Sequence, residues 1–323
     1  MSEQLYIYAV ARIRSKELSL FSRQTLEQLL ALKSYEECLK FLEDKGWGEH
    51  SDNQNAETML TTESEKTWAL IRELCEDMSI FDVFLYGNDY HNLKAALKQT
   101  YMGTEVPHTY ISNGTISPAT IEQAVKEKDF SLLPEHMRAC AEEAYDSLFH
   151  TGNGQLCDII IDKATLETIY KAGKATGNEL LTEYAELKVA AADINIAVRG
   201  CKTKKDNGFF ERAMAECDSL NLKELIKAAL QSEDAIKDYL MHTKYADAVP
   251  AIEKSLSAFE LWCDNLIMKR ILPQKYNSLT VSPLAAYILA RENEIKAVRL
   301  ILSGKLNSLS DETVRERLRE MYV

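Results

Sequence analysis

Apolar residues recur at steps of three and four along most of the chain. Leu181, Tyr184, Leu187, Ala191 and Ile194 follow this spacing, and so do apolar residues in the segments 68–78 and 250–271. Such steps place side chains on one face of an α-helix. Alternation with a period of two is nearly absent, and its best candidate, the segment 108–117, is interpreted as a loop. The pattern predicts nine to twelve helices and no sheet of consequence.

Polar residues mark where several helices should begin and end. Ser34 with Glu37 has the spacing of a capping box, in which the serine hydroxyl and the glutamate satisfy free amide groups of the first turn. Ser117 and Ser282 each precede a proline, which suits an N-cap followed by the first helical position. Three glycines are predicted to be left-handed helix terminators: Gly152, Gly200 and Gly304.

Composition favours the same fold class. Only 12 glycines and 6 prolines occur in 323 residues, whereas a sandwich or an α/β enzyme of this size needs more turn residues. A hydrophobic content of 46% is ordinary for a globular protein. The predicted fold is therefore all-α. The net charge of −12 offers no basic surface for nucleic acid and suits solubility or a basic protein partner.

The seven cysteines are spread singly along the chain and include no CxxC pair. This usage predicts free thiols in a reducing compartment. The N-terminal apolar run is short and follows no basic region, so a signal peptide is not expected. No apolar run approaches the ~20 residues of a membrane span. We expect a cytosolic protein, or one that sits at a membrane without crossing it.

Local signatures of catalysis are missing. There is no phosphate-binding GxxxxGK[ST], and Gly152-x-Gly154 lacks a preceding strand. The acidic group Glu76, Asp77 and Asp82 is interpreted as a solvated face. The histidines are scattered, at positions 50, 91, 108, 136, 150 and 242.

The other local patterns are equally weak. One ExxH occurs, from Glu105 to His108, where a di-iron bundle needs two. The sequence thus predicts no catalytic residue, no cofactor and no metal. The basic run Cys201–Lys205 is interpreted as a solvated loop, with contact to an acidic partner or lipid head groups as the alternative.

One short helical pattern is written three times. It reads "NLKAALK" at 92–98, "DINIAVR" at 193–199 and "NEIKAVR" at 293–299, at offsets of 101 and 100 residues. Solenoid repeats recur at shorter periods, so this spacing has the size of a domain. It predicts three similar helical domains, at 1–105, 106–205 and 206–323, around a pseudo-three-fold axis or in a row.

Each copy ends in a base: Lys98, Arg199 or Arg299. These residues have two interpretations. They could pair with acids on adjacent helices, as charges on helix faces commonly do. Alternatively, they face a partner and form a protein interface.

The sequence resembles the C subunit of archaeal and bacterial V-type (A/V-type) ATPases and ATP synthases, a relative of the d subunit of the eukaryotic V-ATPase. The resemblance spans essentially the whole chain and rests on dispersed matches in the right order. They are "YIYAVARIRSKELSLFSRQTLEQLL" near the start, "YGNDYHNLKAALK", "ADINIAVRG", and the last 32 residues, "ENEIKAVRLILSGKLNSLSDETVRERLREMYV".

The resemblance implies three helical domains arranged as a funnel. It also implies a non-catalytic adaptor that joins the central shaft to the proteolipid rotor ring and transmits torque for proton or sodium transport. Such a protein would be peripheral, on the cytoplasmic side of the membrane. The alternative is an all-α cytosolic enzyme or scaffold whose site lies between helices and has no local motif. The sequence does not distinguish the coupled ion, nor synthesis from hydrolysis.

A closed ring of three domains would bring the first beside the third. We therefore expect the N-terminal helix to pack beside residues 250–302. In an extended row, the second domain would separate them.

Overall fold

The structure is a computed structural model that describes residues 4–48, 55–104, 106–107 and 109–323. In these residues it contains sixteen α-helices and no strand, apart from one isolated bridge between Cys217 and Leu220. The predicted all-α class is confirmed. The helix count exceeds the nine to twelve expected, because several helices are too short to produce a visible apolar period.

The chain divides into two compact units, residues 1–78 with 254–323, and residues 79–253. The three-domain division therefore stays a prediction. Most helices of the first unit pack around the long helix α15. The unit contains α1 (Gln4–Glu17), α2 (Arg23–Leu30), α3 (Tyr35–Asp44), α4 (Ala56–Leu74), α14 (Leu256–Ile271), α15 (Ser282–Leu306) and α16 (Asp311–Arg315).

In the second unit, helix α8 is central and packs against α5, α7, α9 and α10. Gly173 allows the close approach of α8 to α9, since a Cβ at this position would lie 2.4 Å from that of Ala185. The helices are α5 (Asp82–Met102), α6 (Pro118–Glu127), α7 (Glu135–Thr151), α8 (Gly154–Ala175), α9 (Glu179–Lys202), α10 (Asn207–Ala213), α11 (Leu222–Gln231), α12 (Glu233–Leu240) and α13 (Val249–Lys254).

The N-terminal helix α1 packs against α15, as expected for the start of the chain beside residues 250–302. Arg14 on α1 also donates to the main-chain carbonyls of Gln274 and Asn277. Farther along, the main-chain N–H of Phe21 donates to Glu294 on α15, at 2.8 Å. The expected contact between the two ends of the sequence is confirmed. The funnel and the ring of three domains stay predictions.

Most of the predicted N-caps are confirmed. Ser34 accepts from the N–H of Glu37, whose carboxylate accepts in turn from Lys33, one residue earlier than in the usual box. Ser117 caps α6, and Pro118 occupies its first turn. Ser282 is not a cap, because α15 already begins there and no side chain caps it. The apolar spacing of 250–271 spans two helices, because Ser255 caps α14.

Two of the three predicted terminators are wrong. Gly152 ends α7 in the left-handed conformation, with φ of 65°. Gly200 and Gly304 instead lie inside α9 and α15. A Cβ on Gly200 would lie 2.3 Å from the ring of Phe210, and one on Gly304 would lie 2.5 Å from Val314. Close packing, not chain reversal, requires glycine at these two positions.

Candidate functional site

The three repeated segments lie on the long helices α5, α9 and α15. Each begins with a buried polar residue that bonds the main chain of a segment farther along. The three contacts join Asn92 to Ile111, the N–H of Ala215 to Asp193 at 3.1 Å, and Asn293 to the carbonyl of Glu320 at 2.9 Å. A buried polar side chain is costly unless it is bonded, so these residues fix the following chain to the helix. We predict that the three segments superimpose.

Asp193 differs chemically from its two asparagine counterparts. One carboxyl oxygen accepts from Ala215, and no donor among the described residues reaches the other. Burial raises the pKa of Asp193 to about 8, against the lowering effect of the Ala215 hydrogen bond. At neutral pH the protonated form therefore predominates. A protonated carboxyl carries one donor and one acceptor, which resembles the asparagine amide.

The bases at the ends of the segments lie on three different helices. Lys98 pairs with Asp158 on α8, at 2.7 Å. Arg299 pairs with Glu57 on α4, at 2.6 Å. Arg199 is exposed on α9. Lys98 and Arg299 thus make pairs with adjacent helices of the kind that the first interpretation anticipates, while all three bases remain open to solvent in part.

A buried charged cluster in the first unit was not predicted from the sequence. Arg291 on α15 bonds Glu63 on α4 at 2.7 Å and also bonds Glu294. Its guanidinium lies 5.3 Å from the ring centroid of Trp47. Glu294 accepts from Phe21, so the cluster joins three parts of the unit. The sequence signal is weak, because charged residues follow an apolar run from position 291 of α15 and the partner at position 63 is 228 residues away.

The acidic and basic groups considered in the sequence bond within the chain or lie on its surface. Lys202 pairs with Glu233 at 3.4 Å, and Lys205 lies over the ring of Phe209. No group of three or more His, Cys, Asp and Glu side chains in the described residues could hold a metal ion. His50, Glu105 and His108 lie outside those residues. All seven cysteines are free thiols, as expected.

No helix in the described part of the chain combines the length and apolar character needed to cross a bilayer. Long helices pack closely within each unit, and charged side chains lie at their surfaces. Exposed charged side chains can pair with those of another protein.

A known protein family matches almost the entire chain. The sequence profile of the family described as "ATP synthase (C/AC39) subunit" matches residues 9–317. The chain belongs to this family. The C/AC39 proteins are structural components of V/A-type ATP synthases and are not the catalytic ones. The resemblance seen in the sequence is therefore confirmed.

Relatives in the C/AC39 family match nearly end to end. The C subunit of the V-type sodium ATPase of Enterococcus hirae is 23% identical, covering 96% of this chain and 97% of its own. The C subunit of the A-type ATP synthase of Methanocaldococcus jannaschii is 26% identical, with 97% and 86% covered. The C subunit of the V-type ATP synthase of Thermus thermophilus is 24% identical, with 93% of each chain covered.

Proposed function

We propose that this chain is the central-stalk adaptor of a rotary V/A-type ATPase or ATP synthase. It would connect the central shaft to the proteolipid rotor ring and transmit torque between ATP chemistry and ion movement. The observation that carries the proposal is the family match over residues 9–317, since it includes almost the whole chain. The protein would act on the cytoplasmic side, peripheral to the membrane.

The internal structure of each unit supports a mechanical role. A part that transmits torque must resist twisting, and closely packed interiors have low compressibility. In the first unit, α15 packs against α1, α4 and α14, and its Gly304 packs against Val314 without space for a methyl group. In the second unit, Gly200 packs against Phe210 in the same way.

We also propose that at least one of Lys98, Arg199 and Arg299 contacts the shaft or the ring. Charge reversal alone does not test this, because Lys98→Glu would also repel Asp158. The exchange Lys98→Glu with Asp158→Lys restores the pair between these two positions and keeps the altered charge at position 98. Lys94, which also lies 3.9 Å from Asp158, keeps Asp162 as its closer partner, at 2.6 Å. Arg299→Glu with Glu57→Arg is the matching exchange in the other unit. The third base is tested by the single substitution Arg199→Glu.

The outcome of these exchanges separates the two interpretations. A partner contact predicts normal thermal stability with weaker, more salt-sensitive assembly for at least one variant. If both exchanges and Arg199→Glu assemble with wild-type affinity, the three bases serve the fold alone. The adaptor role does not depend on that result.

The adaptor role itself is tested by omission and restoration. Complexes prepared without this chain should hydrolyse ATP but fail to move ions across a membrane vesicle. Adding the purified chain should restore ion transport. Full transport in its absence would exclude the adaptor role. Failure of a tagged chain to co-purify with shaft and ring proteins would instead show that it does not assemble with them.

A further inference from the structure

Two segments of the first unit contain no acidic residues. The chain has 50 of them, yet none lies between Asp264 and Glu292, the longest such interval. This interval carries Lys269, Arg270 and Lys275, and it ends with Arg291, which is buried. A second interval, residues 4–16, has three bases and no acid. In a protein of net charge −12, these segments are positive exceptions.

The fold joins these two segments. Arg14 on α1 donates to the carbonyls of Gln274 and Asn277, in the connection that leads from α14 to α15. Acidic residues pair with two bases of α1. Glu73 pairs with Arg12 at 3.4 Å, on the side of the helix that faces α4. Glu17 is buried and is occupied by Arg14 and by the hydroxyl of Tyr322. Its charge therefore adds little to the surface. Lys269 is exposed and Lys275 is partly exposed.

Large apolar side chains stand on the same part of the surface. Leu18 lies one turn beyond Arg14 and is 88% exposed. Tyr276, between the two carbonyls that Arg14 binds, is 91% exposed. Leu272 and Leu279 are exposed as well. Several exposed apolar side chains that form one patch with a polar rim mark an interaction site, whereas single exposed apolar residues are ordinary on a protein surface.

We propose that this basic apolar surface, formed by Leu18, Lys269 and residues 272–280 with Lys275 among them, docks onto the anionic phospholipid headgroups of a bilayer. Lysine is depleted at protein–protein interfaces. At membrane surfaces, by contrast, lysine attracts anionic lipid while leucine and tyrosine enter the headgroup region. Exposed lysine, leucine and tyrosine in residues 269–280, within an interval that contains no acid, therefore favour lipid over an acidic protein. The proposal stands independently of the adaptor role.

The test uses the purified full chain and sedimentation with lipid vesicles. Binding should be seen with phosphatidylcholine mixed with phosphatidylglycerol, and not with phosphatidylcholine alone. It should weaken as salt is raised, because salt screens the lipid charge. A Tyr276→Trp variant gives a second readout, since its fluorescence should shift to the blue when the side chain enters the headgroup region.

The decisive comparison uses two matched triple variants. Lys269→Gln/Lys275→Gln/Leu279→Ser alters the basic apolar surface. Lys223→Gln/Lys227→Gln/Leu230→Ser makes the same changes on α11, where Leu230 is as exposed as Leu279, at 47%. The two variants form a matched pair because they remove equal charge and equal apolar character from different units.

The first variant should bind anionic vesicles at least about 25-fold more weakly, about fivefold for each lysine. The control variant should bind as the wild type does. Equal binding by the two variants, or no wild-type binding to anionic vesicles, would overturn the proposal. So would a variant that binds vesicles normally but fails to assemble with the rest of the complex, because the surface would then contact protein. Thermal unfolding of each variant confirms that the fold is retained.

Discussion

Asn92 bonds both main-chain polar groups of Ile111, accepting from its N–H at 2.8 Å and donating to its carbonyl at 2.9 Å. The side chain is fully buried on α5, and the residue it holds lies 19 positions later. Asp193 and Asn293 hold their own downstream segments from the same place in the repeat. In all three copies, the first residue of the repeated pattern therefore bonds the main chain of the segment that follows its long helix.

Replacing Asn92 with alanine should lower the free energy of unfolding by about 1–3 kcal/mol, because two polar groups of Ile111 lose their partner. Urea unfolding at pH 7 measures this change. Asn92→Asp is the informative comparison, since it copies the second repeat. The aspartate should be tolerated better at pH 5 than at pH 9, because only the protonated form can donate. Equal stability of all three proteins would show that Ile111 is not held by this side chain.

Asp193 should make stability depend on pH. Its folded-state pKa of about 8 lies above the ordinary value of 3.8. The unfolded chain releases this proton first as pH rises. The contribution of Asp193 is thus fully favourable below about pH 4 and is lost as pH rises through 8, at up to about 1.4 kcal/mol per pH unit. Above pH 8 no further loss is expected from this group.

Asp193→Asn should remove that decline and leave the variant more stable than the wild type at pH 9. Urea unfolding at pH 5, 7 and 9 provides the comparison. Asp238→Asn is the control, since it removes an exposed carboxylate from α12 in the same unit. A decline of the same size in the wild type and in Asp193→Asn would assign the pH dependence to other groups.

Gly200→Ala and Gly304→Ala should each destabilise the protein by about 1–3 kcal/mol. In both cases the new methyl group meets a buried side chain that has little room to move, Phe210 or Val314. Gly87→Ala in α5 is the control, because nothing lies within 4 Å of the added Cβ. That change should be neutral or stabilising by up to about 1 kcal/mol. Thermal melts of the three variants test the contrast, and destabilisation by Gly87→Ala alone would reverse the assignment.

The helical class could be predicted from the sequence because apolar spacing and N-caps are local. Ser34 and Ser117 cap helices through amide groups only three residues away. Gly200 and Gly304 were misread because a terminating glycine and a packing glycine look alike in sequence. What distinguishes them is a ring or a methyl group brought close by the fold.

The candidate interface shows the same limit. The repeat indicated Lys98 and Arg299, but their partners Asp158 and Glu57 lie 60 and 242 residues away. Pairing over such separations depends on helix packing, which no local pattern encodes. The resemblance to C subunits identified the family, because ordered matches along the whole chain do not require knowledge of these contacts.

Arg291→Met should be among the most damaging single substitutions in the first unit. It removes the cation between Glu63 and Glu294, both of which are buried. Glu63 keeps its pair with Lys66 at 2.8 Å, whereas Glu294 loses the cation that it bonds. Leaving a buried carboxylate without its cation costs about 3–5 kcal/mol. Arg299→Met is the matched control, because it makes the same change two turns later on α15. Arg299 is about half exposed and its pair with Glu57 is at the surface, so the cost should stay within about 1 kcal/mol.

A second substitution separates lost charge from lost packing. If uncompensated charge is the main cost, Arg291→Met/Glu294→Gln should recover part of the stability, because one buried carboxylate is removed while the amide can still accept from Phe21. If packing against Trp47 is the main contribution, the double variant should be no more stable than Arg291→Met. Urea unfolding followed through tryptophan fluorescence compares all four proteins, since Trp47 lies beside the cluster. Similar losses for Arg291→Met and Arg299→Met would show that the buried cluster does not hold α4 and the N-terminal segment to α15.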